Sequence, residues 1–592
     1  VKHQLQRLFA VLGLVVALAL PSFAQDDSLP GSDVLMKALA DELARSMTLK
    51  LEDLATPYFI QYDVSDSINY TLSATYGAIV DSDRTRGRTL NCQVRVGSYE
   101  LDNTNFAESG LGRLFGGRRG GGSRAGLPLD DDYMAIRQIA WLVTDGEYKG
   151  AVETLTQKQA YLRDKNIADR PNDYTPADPV EHLDPPAVLE FDRAAWEENL
   201  KQLSARFKEY PQVQDSGVRL YVGAGNSYLV NSEGTRLRTA DTGVLLLVSA
   251  RVQCEDGMRI SDSRSYTGLT VADLPPMEQL SANLDEMVAG LTASMEAPSI
   301  DFYAGPVLFD GVSAPQVFRS MLADGLAAKP DPVGERRRSR SDGGSLETKL
   351  GARVLPKSWK VWDNPTTERQ YGKVLLGHYK YDEEGVPAQH VDLVVDGRLK
   401  TLCASRAPTQ KLTASNGHAR RGGGGGAQAA VGCLFLEDED GLSVDDLKMQ
   451  LIEAARDEGL EFGVRVESIR SAEISSSQSD LIAMLLRGRR GGGGGGPRLG
   501  DPVLAYKVFV EDGHEEPFRG CEFGDVDVSE LKDILAAGDS PVIYNYIGVG
   551  MRGTTPPTTI VAPPVLFEEL ELSRIQEEYD KPPILHDPIF RK

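Results

Sequence analysis

The run Gly377-His378-Tyr379-Lys380-Tyr381-Asp382-Glu383-Glu384-Gly385-Val386-Pro387-Ala388-Gln389, continued by Val391 to Val395, Asp396-Gly397 and Leu399, reads as strand, acidic turn, strand, tight turn, strand. Asp382 to Gly385 supply the acidic turn and Asp396-Gly397 the tight turn. About twenty residues on, Ser415-Asn416-Gly417-His418-Ala419-Arg420-Arg421 forms a polar loop. Downstream, Val431 to Leu436, Val503 to Val510, Val542 to Ile547 and Ile560 to Leu572 are further strands. One helix interrupts them, Ser443 to Gly459, opened by a Ser-x-x-Asp cap and closed by a C′-type glycine. Upstream, Ile300 to Leu308 reads as a strand and Ala314 to Ala328 as a helix.

The amino-terminal half mixes elements differently. Leu35, Leu39, Leu43 and Met47 recur at helical spacing, and Tyr58 to Val64, Ser73 to Val80 and Leu90 to Leu101 read as strands, with Arg84 to Gly87 as turn material. Tyr133 to Lys165 reads as two helices broken at Asp145-Gly146. A Pro-rich connection over 169–186 leads to a helix, Arg193 to Tyr210. Val218 to Val230 and Thr235 to Val252 form a hairpin across Asn231-Ser232-Glu233-Gly234, and Met277 to Met295 is helical. Irregular alternation of helices with antiparallel-looking strands gives an α+β fold rather than a doubly wound sheet. The expected organisation is a signal peptide over 1–24, a mixed helix and antiparallel-sheet region over 25–130, a helical and hairpin region over 131–298, and a strand-rich domain over 299–592.

At 592 residues there is chain for roughly four domain-sized units. The net charge of −23 argues against nucleic acid as the main partner, since phosphate binding needs a positive surface. Lys2 and Arg7, the apolar run Leu8 to Leu20 and Ser22-Phe23-Ala24 make a secretory signal, with cleavage expected near Ala24 and a periplasmic or extracellular product. That run is short for a bilayer span and no second one follows, so no stable membrane insertion is expected. The 5 cysteines, Cys92, Cys254, Cys403, Cys433 and Cys521, lack disulfide-framework or zinc-cage spacing and read as buried thiols. Four Gly/Arg tracts, at 116–124, 336–341, 420–426 and 487–496, read as solvated insertions or as basic fingers for an anionic partner.

Motif searches for H-E-x-x-H, G-x-S-x-G and a Walker A loop find nothing. None of the 7 histidines pairs at helical i+4 spacing. His378, His390 and His418, with Asp382, Glu383 and Glu384 near them in sequence, remain candidate ligands for a metal assembled in space.

The ordered set Asp382 to Pro387, Asp396-Gly397-Arg398-Leu399, Ser415 to Arg421 and Pro563 to Leu572 resembles the TldD/PmbA family of metallopeptidases. Asn231-Ser232-Glu233-Gly234 is similar to that family's central turn, and Gly305-Pro306-Val307-Leu308-Phe309 to the strand before its zinc helix. The resemblance covers most of 215–575. It implies a helix carrying H-E-x-x-x-H, two histidines for zinc and a glutamate base, with a distant cysteine completing the site. Here Arg319 stands at the first histidine, Ser320 at the glutamate and Asp324 at the second histidine, and the loop from Gly548 to Arg552 holds no cysteine.

No intact catalytic residue, no zinc and no other cofactor is therefore expected at that position. The family's PmbA type also lacks the motif and pairs with a TldD-type subunit around unfolded peptide segments. The resemblance thus implies a non-catalytic, exported subunit that forms a homodimer, or a heterodimer with a motif-bearing paralogue. The alternatives are a metallohydrolase with displaced ligands and a periplasmic binding protein that uses the Arg/Gly loops.

Overall fold

A computed structural model describes residues 33–50, 55–107, 123–334, 345–421, 426–470, 499–546, 549–550, 553–554 and 556–576. The signal-peptide stretch, the tract at 487–496 and most of the other three Gly/Arg tracts lie outside the described residues.

The amino-terminal half runs α1 (Asp33–Ser46), β1 (Pro57–Thr75), β2 (Ala78–Val96), β3 (Ser123–Gly126), α2 (Tyr133–Asp164), α3 (Arg193–Ala205), β4 (Val213–Asn231), β5 (Arg236–Gln253), β6 (Arg259–Gly268) and α4 (Met277–Glu296). The strands form one antiparallel sheet in the order β3-β2-β1-β4-β5-β6. Stretches 25–130 and 131–298 thus share a single sheet. Even-numbered residues of β1 point to one face. Near its start Ile60, Tyr62 and Val64 pack with α1 and α2. Farther along, Ile68, Tyr70 and Leu72 pack with α3 and α4. All four helices therefore cover the same face, two at each end of the long strands. The opposite face is left for other partners.

Two details differ from the sequence reading. Tyr133 to Asp164 is one helix, because Gly146 is carried through by buried neighbours Thr144, Tyr148 and Ala151 and bridged by a Lys149–Asp145 pair at 2.6 Å. Arg84 to Gly87 lies inside β2. The chain instead reverses at Tyr76-Gly77, both with positive φ (45° and 76°), the geometry of a two-residue hairpin loop.

The carboxy-terminal half contains β7 (Phe302–Phe309), α5 (Ser313–Met321), β8 (Trp359–Asp363), β9 (Val391–Val395), β10 (Ala419–Arg420), β11 (Cys433–Asp438), α6 (Val444–Asp457), β12 (Phe462–Ile469), β13 (Pro502–Phe509), β14 (Val542–Tyr546), β15 (Thr558–Ala562) and β16 (Val565–Arg574). One mixed sheet is ordered β13-β12-β7-β16 and a second β9-β8-β11-β15-β14. The space between them holds the main core, and α5 runs through it: Val317, Phe318, Met321 and Leu322 pack against Val307, Phe309, Trp359, Val361, Val466 and Ile560. The alternate residue Leu308 points outward to Leu447 and Leu451 of α6. Asp396-Gly397 is the tight turn its sequence implies, with φ of 51° and 70°. A Cβ on Gly397 would sit 2.3 Å from the Pro356 carbonyl oxygen, so this turn admits only glycine there.

The helix expected over Ala314 to Ala328 ends at Met321 and continues as a 3₁₀ turn, Ala323–Leu326. Gly325 and the close packing of Leu346 against it tighten the chain at this point.

Candidate functional site

On an uninterrupted α-helix, residues five apart diverge by about 140°. The change to 3₁₀ after Met321 removes that divergence, and Arg319 Nη1 comes within 3.6 Å of Asp324 Oδ1. Arg319 also lies over the Tyr546 ring at 4.7 Å. These residues line a cavity of about 170 Å³ together with Lys329, Arg420 and Thr558. Two of the three expected motif positions, Arg319 and Asp324, therefore meet in space, but the set does not fit a metal. A guanidinium has no lone pair to give, Ser320 is no carboxylate base, and Arg319, Lys329 and Arg420 make the lining cationic.

The same helix opens on a much larger space. Val312, which caps α5, and Gln316 within it line a cleft of about 770 Å³, bounded by β6 on one side and by Glu467, Arg369 and Tyr544 on the other. Tyr544 faces this cleft and Tyr546 the small cavity, and their rings stack at 5.7 Å. Cleft and cavity therefore lie end to end along α5 and β14. Residues Ser261 to Thr267 of β6 line the cleft. Among the described residues β6 is ladder-paired only with β5, so its other edge offers backbone donors and acceptors. The Gln316 amide oxygen, on a residue 6% exposed, has no protein partner.

The acidic turn is a joint between the two halves of the chain. Asp382 accepts from the backbone N–H groups of Glu384 (2.9 Å), Val386 (2.9 Å) and Ala419 (3.0 Å), which closes the turn and ties it to β10. Glu384 Oε2 accepts from Arg406 N at 2.6 Å. Across the gap, the helix-free face of the amino-terminal sheet supplies Gln61, which donates to the Glu383 carbonyl at 3.0 Å, and Asp63, which accepts from Arg421 at 2.6 Å. Asn231 Oδ1 accepts from Glu233 N and Thr235 N, both at 3.1 Å, and the turn it closes presents Glu233 to Arg406 at 2.6 Å. Burial, followed by the Glu384 charge, pushes Asp382 up to about 7.

The three candidate histidines are in different settings. His390 is half exposed and bonds Asp392 at 3.0 Å. His378 is held below its ordinary value by burial. Only His418 belongs to a convergent group among the described residues, with Asp363 and Cys403, whose ligating atoms all lie within 4.8 Å of one another. Sequence reasoning missed Asp363 and passed over Cys403 as one of several buried thiols; the partners lie on separate strands and loops. All five cysteines are buried and free. Burial, then the charge of Asp363, holds the Cys403 thiol well above its usual range.

Residues 306–467 match the family described as PmbA/TldA metallopeptidase C-terminal domain. A metalloprotease of Methanothermobacter thermautotrophicus is 28% identical over 38% of this chain; the match spans 46% of that relative's length. TldE from Thermococcus kodakarensis superposes with a TM-score of 0.58 at 13% identity, over 91% of this chain and 100% of that one. Two proteins described as candidate modulators of DNA gyrase share the fold as well. The one from Bacteroides thetaiotaomicron has a TM-score of 0.57 at 12% identity, over 91% of this chain and 98% of its own. The one from Thermotoga maritima has a TM-score of 0.53 at 15% identity, over 87% and 96%.

Proposed function

Because residues 306–467 match the PmbA/TldA metallopeptidase C-terminal domain and the fold matches TldE, we propose that the chain is a non-catalytic, exported TldD/PmbA-type protein that holds extended peptide segments and assembles with itself or with a motif-bearing paralogue. The observation that carries this reading is the Arg319–Asp324 pair, 3.6 Å apart in a cationic cavity, at positions that the sequence resemblance aligns with zinc ligands. The open edge of β6 along the cleft supports peptide capture. A strand added there takes its main-chain hydrogen bonds from β6, with little dependence on side-chain sequence. Gln316 of α5 lines the cleft, and its buried amide oxygen has no protein partner. The amino-terminal pattern from Lys2 to Ala24 supports export.

The test uses the purified chain with an unfolded, fluorescently labelled peptide. It binds the peptide and leaves it uncleaved. Gln316→Trp, which adds bulk to the cleft lining, weakens binding by at least about tenfold, the loss of roughly 1.4 kcal/mol. Arg319→Ala leaves the absence of turnover unchanged. Cleavage by the purified wild-type chain overturns the non-catalytic reading, and binding unaffected by Gln316→Trp overturns the cleft as the peptide site.

A further inference from the structure

The His418 ring lies between two acceptors. Its Nδ1 is 2.8 Å from the Asn416 backbone carbonyl oxygen, which can only accept, so Nδ1 carries the hydrogen. Its Nε2 is then directed at Asp363 Oδ1, 3.1 Å away. That oxygen already accepts from Cys433 N at 3.2 Å, and Oδ2 accepts from Gly432 N at 3.0 Å, so the carboxylate is oriented by the backbone of β11 and the residue before it. With Nδ1–H committed to the carbonyl, the 3.1 Å approach of Nε2 to Oδ1 is held by a cation at this point, either a proton on Nε2 or a metal ion. The third atom at this point, Cys403 Sγ, is within 4.8 Å of the other two.

We infer that Asp363, Cys403 and His418 supply three protein ligands of a buried site for one zinc-class divalent cation with a structural role. The donor set of imidazole nitrogen, carboxylate oxygen and sulfur suits zinc and its soft-tolerant neighbours, and excludes magnesium and calcium, which take oxygen. Bonds of about 2.0–2.3 Å place tetrahedral ligands roughly 3.3–3.8 Å apart, so a small rotation of Cys403 completes the geometry. An Nδ1–H held by a carbonyl is the outer arrangement that metal-bound histidines use, because it fixes the tautomer with Nε2 free.

All three side chains are 0% exposed, so a peptide in the cleft does not reach the ion. The site is separate from the positions on α5 and does not rest on the peptide-binding reading. Its effect is mechanical. It pins β8, the segment around Cys403 and the loop before β10 at one point, and two of those segments support the small cavity: Cys403 N donates to the Leu326 carbonyl at 2.9 Å, and the His418 carbonyl accepts from Ala430 N at 3.0 Å.

A buried site exchanges slowly, so the ion is best supplied during folding. The full chain is produced in minimal medium with cobalt as the added transition metal, purified under reducing conditions, and read by metal-to-protein ratio and visible absorption. The expected result is close to one equivalent of cobalt with tetrahedral d–d bands and a thiolate-to-cobalt charge-transfer band. Cys403→Ala loses the charge-transfer band and retains at most about a hundredth of the affinity, His418→Gln loses the ion, and Cys433→Ala keeps both. Thermal unfolding of each variant confirms that it is folded. A folded wild-type chain with less than a tenth of an equivalent, or a Cys403→Ala chain that carries as much cobalt with the same spectrum, overturns the site and leaves a proton between His418 and Asp363.

Discussion

Arg406→Ala lowers the stability of the folded chain by about 3–5 kcal/mol, the range for stripping one partner from a buried ion pair. Arg406 is 1% exposed. Its Nε and Nη2 donate to the Thr175 carbonyl at 2.8 and 2.7 Å, Nη2 also reaches Glu233 at 2.6 Å, and the guanidinium lies 4.2 Å from the Tyr174 ring centroid and 5.3 Å from that of Phe59. The alanine variant leaves Glu233 without its cation and opens a void between the rings. Because Thr175 and Glu233 belong to the amino-terminal half and Arg406 to the carboxy-terminal half, the loss falls on the joint between them. Urea unfolding followed by circular dichroism checks this. Arg406→Lys recovers less than about half of the effect, since an ammonium cannot reproduce the planar fork. A midpoint that does not move in the alanine variant would show that the joint is held elsewhere.

Asp382→Asn costs about 2–3 kcal/mol and changes how stability depends on pH. The carboxylate accepts three backbone N–H groups through its two oxygens. An asparagine offers one oxygen and turns an NH₂ group toward at least one of those donors. Burial, then the Glu384 charge, raises Asp382 from its ordinary 3.8 to about 7 in the folded chain. Between those values the folded chain keeps a proton that the unfolded chain has released. The group's contribution is therefore most favourable below the unfolded value and declines as pH rises through about 7. Unfolding midpoints at about pH 5 and about pH 8 should show the wild type losing more stability toward the alkaline side than the variant does. A difference between the two proteins that is constant across that window would refute the assignment.

The turns were readable because their chemistry is local. Asp396-Gly397 and Asn231-Ser232-Glu233-Gly234 need positive φ or an Asx side chain, and only a few residue types supply either. The hairpin they flank and the helices over Met277–Glu296 and Val444–Asp457 followed from period and caps. The turn at Tyr76-Gly77 was hidden because a tyrosine rarely takes positive φ. Arg84 to Gly87 has turn composition, yet lies within a ladder with β1, where pairing decides the conformation. The break in α5 depends on Leu346 packing on Gly325, a tertiary contact.

The candidate site divided in the same way. The occupants of positions 319, 320 and 324 could be read by alignment, whereas the meeting of Asp363 with His418 spans 55 residues of sequence and has no spacing signature. The motif residues Asp382 and Arg421 were legible as a pattern, but their work of joining the two halves depends on Gln61 and Asp63, far away in the chain.

The pairing of β7 with β16 bears on the order in which the protein can be made. β7 is the first strand of the carboxy-terminal half and β16 the last described, and they lie side by side from Phe309 opposite Val565 to Phe302 opposite Ser573. A ribosome delivers the first long before the second. During that interval Tyr303, Val307 and Phe309 lack the neighbour that covers this edge of their sheet, while β1 to β6 already have theirs. The amino-terminal half can close early, and the other waits until β16 has been made, with a sticky strand edge to be shielded meanwhile.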